Sequence, residues 1–205
     1  MSGIVAQNIG KHSGLIKAPG GGGAWNFIKK LTASGASTLS FVDGSDDVVF
    51  DSTYKEYIFY IVNMNPSGDG ANFLFDGSTD TGSSYGVTKN TTMIETYNYE
   101  DGSGANTAYQ AGSDTSNATD SQILAREIGS GGDECSSGYI HVFNPAGTTF
   151  VTHFASQMAG FSNADYHVDN KVAGYFNTTS AIDAIQFSVS SGTFDGVVFL
   201  HGLST

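Results

Sequence analysis

Lys55-Glu56-Tyr57-Ile58-Phe59-Tyr60-Ile61-Val62-Asn63 is the stretch that decides the fold class. Tyr57 to Val62 is continuously apolar and consists of aromatic and β-branched residues, the types that fit a pleated sheet. Such a run reads as a strand covered on both faces. Gly196-Val197-Val198-Phe199-Leu200-His201 has the same character near the end of the chain.

Working outward, further strands are expected at 25–32, 37–42, 71–75, 122–128, 138–143, 148–157, 170–176 and 184–190, with weaker ones at 84–89 and 92–99. Gly, Asn, Asp and Ser clusters separate them and act as turn signals. No window carries apolar residues at the i, i+3, i+4, i+7 spacing of a helix. Gly, which costs roughly 1 kcal/mol against Ala in a helix, supplies 27 residues. About ten short strands at intervals of roughly 10–20 residues predict an all-β sandwich of antiparallel strands, jelly-roll-like in type. The polar stretch 101–121 reads as a long exposed loop. Residues 1–23 read as an irregular arm ending in Pro19 and the Gly20–Gly23 run, a linker composition. The division is therefore an arm at 1–23 and a β-sandwich domain at 24–205.

The chain of 205 residues fits one all-β domain. Eight Lys and Arg against 20 Asp and Glu give a formal charge of −12, which speaks against nucleic acid as a partner. No apolar run approaches the roughly 18–20 residues that span a bilayer. The opening MSGIVAQNIGKHSGL lacks the apolar core of a signal peptide. The single cysteine, Cys135, rules out an internal disulfide and a multi-cysteine metal site.

Chemistry-bearing motifs are scarce. His12, His141, His153, His167 and His201 show no HExxH or HxH spacing, so no metal is expected. Asp43, Asp46, Asp47 and Asp51, with Asp76 and Asp80, are turn formers that miss the EF-hand spacing of calcium ligands. There is no GxSxG nucleophile elbow. Cys135 follows Asp133 and Glu134, whose charges oppose a thiolate. The Gly20–Gly23 run lacks the Lys-Ser/Thr of a phosphate loop. The sequons at Asn90, Asn117 and Asn177 are expected by chance in so Asn- and Thr-rich a chain. No catalytic residue and no cofactor are expected.

Several stretches resemble one family. Ala24-Trp25-Asn26-Phe27-Ile28-Lys29-Lys30-Leu31-Thr32-Ala33-Ser34 is similar to its opening strand, and Asp51-Ser52-Thr53-Tyr54-Lys55-Glu56-Tyr57 to its DSTYxEY element. Asn63-Met64-Asn65-Pro66, Asn72-Phe73-Leu74-Phe75, Gly138-Tyr139-Ile140-His141-Val142-Phe143-Asn144-Pro145 and Val172-Ala173-Gly174-Tyr175-Phe176-Asn177-Thr178-Thr179 match in order. Ile185-Gln186-Phe187, Ser191-Gly192-Thr193-Phe194 and Leu200-His201-Gly202-Leu203 resemble its closing element, with His201 in place of Tyr. Together residues 24–203 resemble structural proteins of tailed bacteriophages, especially phages of marine bacteria.

The resemblance implies a non-enzymatic virion protein assembled in the bacterial host cytoplasm. Its expected place is the capsid exterior, as a decoration or head-fibre component, and its expected state is a homotrimer. The arm, which carries Lys11, Lys17 and no acid, would attach to capsid or fibre-base proteins through Ile4, Val5, Leu15 and Ile16. Trp25 would clamp the junction of arm and body. The alternative is a tail-fibre module that recognises a host-surface glycan or protein. Its candidate ligand-binding loops, 76–86 and 97–120, hold Tyr85, Tyr97, Tyr99 and Tyr109 among Asp and Asn.

Overall fold

A computed structural model describes residues 24–204. Ile4, Val5, Leu15 and Ile16, with the rest of the expected arm, lie outside the described residues. The described chain is all-β and antiparallel. Its strands are β1 (Trp25–Ala36), β2 (Thr38–Val42), β3 (Glu56–Pro66), β4 (Ala71–Ser78) and β5 (Lys89–Tyr99). Then come β6 (Ala105–Tyr109), β7 (Ser116–Ala118), β8 (Gln122–Ile128) and β9 (Ser136–Phe143). The last four are β10 (His153–Ser162), β11 (Tyr166–Phe176), β12 (Ala184–Val189) and β13 (Phe194–Leu203).

The pairings nest. β1 pairs with β13, β2 with β12, β3 with β9, and β4 with β8. The chain thus folds as one long hairpin that then rolls, giving the layers β1-β13-β3-β9 and β2-β12-β4-β8. That order is a jelly roll. Two excursions enlarge it. β5–β7 leave between β4 and β8, and β10–β11 leave between β9 and β12. Both join the first layer, which continues as β9-β10-β11-β5 with β6 and β7 on β5.

Phenylalanines fill the space between layers. Phe59 of β3 and Phe154 of β10 face Phe41 of β2, Phe75 of β4 and Phe187 of β12. The Phe41–Phe59, Phe59–Phe187 and Phe75–Phe154 ring centroids lie 5.2, 5.4 and 5.1 Å apart, all edge-on. Such pairs add about 0.5–1.5 kcal/mol each beyond their buried area. Gly138 permits the close approach of β9 to β10, because a Cβ there would run into the Gln157 carbonyl.

Four expectations change. Residues 84–88 form no strand, and β5 begins only at Lys89. The stretch 101–121 is not wholly loop: it contains β6 and β7, held by backbone pairing to β5 with little apolar burial. The 148–157 strand starts at His153 and runs on to Ser162. Finally, Tyr57–Val62 is covered on both faces only at its start, where Tyr57, Ile58 and Phe59 are all buried. Phe59 and Ile61 are buried inward, whereas Tyr60 and Val62 remain 38% and 39% exposed outward.

A buried ion pair fixes the root of the β5–β7 excursion. Lys89 Nζ lies 3.0 Å from Asp76 Oδ1 and donates to the Asp120 carbonyl at 2.8 Å. Ser121 Oγ and the Gly77 amide donate to the same carboxylate. Burial pushes the Asp76 carboxyl above its usual range, while Lys89 pulls it down. The pair is thus costly to dehydrate, and more costly to break. Lys89→Met should lower the unfolding free energy by about 3–5 kcal/mol, because it strands a buried carboxylate. Adding Asp76→Leu should recover most of that loss. Urea denaturation of both variants checks this; a single variant as stable as wild type would refute the role given to the pair.

Candidate functional site

Alternation along the strands sends every second side chain of the first layer outward. One cross-strand row facing the core reads Leu200, Phe59, Ile140, Ser156, Val172 and Met93, all buried. The rows on either side face out. One reads Phe27, His201, Ile58, His141, Ala155, Ala173 and Thr92. The other reads Lys30, Phe199, Tyr60, Tyr139, Gln157, Lys171, Ile94 and Tyr109. Trp25 joins them through an edge contact on His141, centroids 5.8 Å apart. An aromatic and apolar face therefore runs across the widened layer.

Its charges are paired off. His141 Nδ1 lies 2.5 Å from Glu56 Oε1, and Lys171 Nζ lies 3.4 Å from Asp169 Oδ2. Lys30 sits over the Phe199 ring at 5.9 Å. A chain whose sequence carries −12 thus presents one face with little net charge. Small side chains at Ala155 and Ala173 leave a furrow of about 530 Å³. Tyr139, His141 and Phe143 wall one side, and Ile94 and Lys171 the other. The Glu56–His141 couple has the form that orients a general base. Its third member is missing: among the described residues no serine or cysteine hydrogen-bonds to His141.

The four expected tyrosines do not share a surface. Tyr97 and Tyr99 lie on the core-facing side of β5, in a cluster with Tyr166 at centroid distances of 5.2 and 5.4 Å. Tyr109 lies on the outward face and donates to Asp114. Tyr85 is in the loop between β4 and β5. The two expected loops nevertheless meet there, in a cleft of about 530 Å³. Ser84 and Tyr85 come from the first loop, Thr119 from the end of the second, and Asn177 from the turn after β11.

Carboxylates brace this cleft. Asp80 accepts from the Ser84 hydroxyl and amide and from Ser78 Oγ, which together hold its carboxyl down at about 2. Asp183 accepts from the Thr81 amide. Gly86 holds φ +127°, so the bend into the cleft wall requires glycine. Asp43 and Asp51 likewise accept from the backbone amides of Phe50 and Thr53. Among the described residues no cluster of His, Cys, Asp and Glu has the form of a metal site.

The most buried acid, Glu95, is saturated. It accepts from Gln110, Asn170 and Arg126 and so ties β5 to β8 and β11. Sequence reading missed both this network and the outward face; each depends on register between strands far apart in the chain. No family model matches the chain, and no curated protein matches it at a significant level.

His201 is an imperfection in the outward face. Its ring lies edge-on to Phe27 and Tyr60, 5.6 Å from each, and its Nδ1 is buried without a protein partner. Burial lowers its pKa. The fold therefore favours neutral His201, and stability drawn from it falls as pH drops below the unfolded value near 6.5. His201→Phe should raise stability by about 1 kcal/mol at pH 7.5, the scale of an unpaired buried polar atom, and by more at pH 5.5. Denaturant titrations at both pH values check this; a gain that shrinks at pH 5.5 would refute it.

Proposed function

We propose that the chain is a non-enzymatic structural protein of a tailed-phage virion, a decoration or head-fibre component on the capsid exterior. The observation that carries the reading is the outward face of the widened layer. Phe27 is 60% exposed and Ile94 47% exposed on it. Contiguous exposed apolar surface of this kind marks an interface. Copies of so acidic a chain repel one another, and a face with paired charges is where they approach at least cost. The expected homotrimer is accordingly assigned to this face.

Three further features support the reading. The fold is a jelly roll, an architecture used by viral capsid and lectin domains. Fold alone does not fix function, and the resemblance of residues 24–203 to phage structural proteins adds to it. The chain also enters the described body at β1, whose first residue, Trp25, sits on the outward face against His141. An attachment segment at 1–23 would thus join the body at the edge of the interface, with Trp25 at the junction.

The test is a charge placed on that face where folding does not need the side chain. Phe27→Glu in the full chain should still fold, with loss of the oligomer showing as a lower melting temperature that no longer depends on protein concentration. It should shift the sedimenting species from oligomer to monomer and abolish incorporation into particles. Wild-type incorporation of the folded variant would overturn the assignment.

A further inference from the structure

We propose that the cleft beside Tyr85 binds a neutral saccharide, a pyranose unit of a larger glycan. The site lies apart from the outward face, and the inference does not depend on the structural role. Its lining supplies hydroxyls, one amide and an aromatic ring: Thr79, Ser84, Thr88, Thr119, Asn177 and Tyr85. None of these side chains carries a charge at neutral pH. That is unusual on a chain of −12, and it selects against ions of either sign.

The nearby charges are already spent. Asp80 is satisfied by Ser78 and Ser84. Lys89, next in the chain to Thr88, is fully buried against Asp76 and the Asp120 carbonyl. A phosphate or carboxylate ligand would find no cation here.

The ring of Tyr85 is what turns a polar dent into a sugar site. Its hydroxyl is buried beside Gly82 and Ser40. Tyr85 and Val87 both line the cleft, and the Tyr85 ring is the aromatic group it has to offer. A pyranose has one face of C–H groups and a rim of hydroxyls. A ring for the face and Thr, Ser and Asn groups for the rim match it. Small-ligand pockets span about 300–1,000 Å³, and a cleft of about 530 Å³ lies inside that range.

The walls are also set in advance. Asn177 Nδ2 donates to Asn117 Oδ1, the Asn117 amide donates to Asn90 Oδ1, and the Asn177 amide donates to the Thr88 carbonyl. These contacts tie the three rims together before any ligand arrives, which lowers the ordering cost of binding.

The experiment uses the full chain and two probes. The first is saturation-transfer NMR with the methyl glycosides of glucose, galactose, mannose and N-acetylglucosamine, with glucose 6-phosphate as the anionic comparison. The second is a glycan array. Transfer from at least one neutral glycoside is expected. It should fall at least about five-fold in Thr119→Val, which removes a hydroxyl at constant shape, and in Tyr85→Ala, which removes the platform. It should be unchanged in Phe27→Glu on the outward face. No transfer from any neutral glycoside together with a blank array would overturn the proposal. So would preference for glucose 6-phosphate or acidic glycans, or undiminished binding in folded Thr119→Val. None of these outcomes bears on particle incorporation, so failure here and failure of the structural role are read separately.

Discussion

The buried Asp76–Lys89 pair is the joint on which the enlarged jelly roll depends. Asp76 lies near the end of β4, Lys89 starts β5, and Asp120 and Ser121 lead into β8. One ammonium group thus holds both the exit and the return of an excursion about 40 residues long, and such closure costs entropy that grows only slowly with length. Desolvation raises the Asp76 carboxyl despite the adjacent cation, so the pair contributes fixed geometry more than net stability. That geometry places Thr79, Thr88 and Thr119 around one cleft and lets β5 lie alongside β11 over its whole length.

The same sheet serves two environments. Its inner rows meet the second layer through phenylalanines, and its outer rows present rings to solvent. Widening by β10, β11 and β5 is what makes the outer face broad. The excursions therefore broaden this face without touching the nested pairs that define the fold. The polar cleft lies where the chain segments after β4, β7 and β11 converge.

Much of the fold was legible in the residues. The Tyr57–Val62 run, the closing strand at 196–201, the strand at 138–143 and the alternation in 184–190 all correspond to β3, β13, β9 and β12. The reading failed where pairing rather than burial makes the strand. Ala105–Tyr109 has almost no buried side chain and exists because β5 offers it an edge. It failed again where exposure breaks the usual inference from apolarity. Tyr60, Val62 and Phe199 read as core from sequence, yet their strand parity puts them outside. For the site, the sequence supplied Tyr85 and the two loops. It could not show that Tyr97 and Tyr99 point to the other side of β5 from Tyr109, since that follows from register with β11 and β6.

The proposed virion role unites the acidic body and the paired charges on one broad aromatic face. Immunogold electron microscopy of purified particles, with antibody against residues 24–205, tests that role most directly. Label distributed over the heads is the predicted result. Particles without label, from a preparation in which the antibody detects the protein in infected cells, would contradict it.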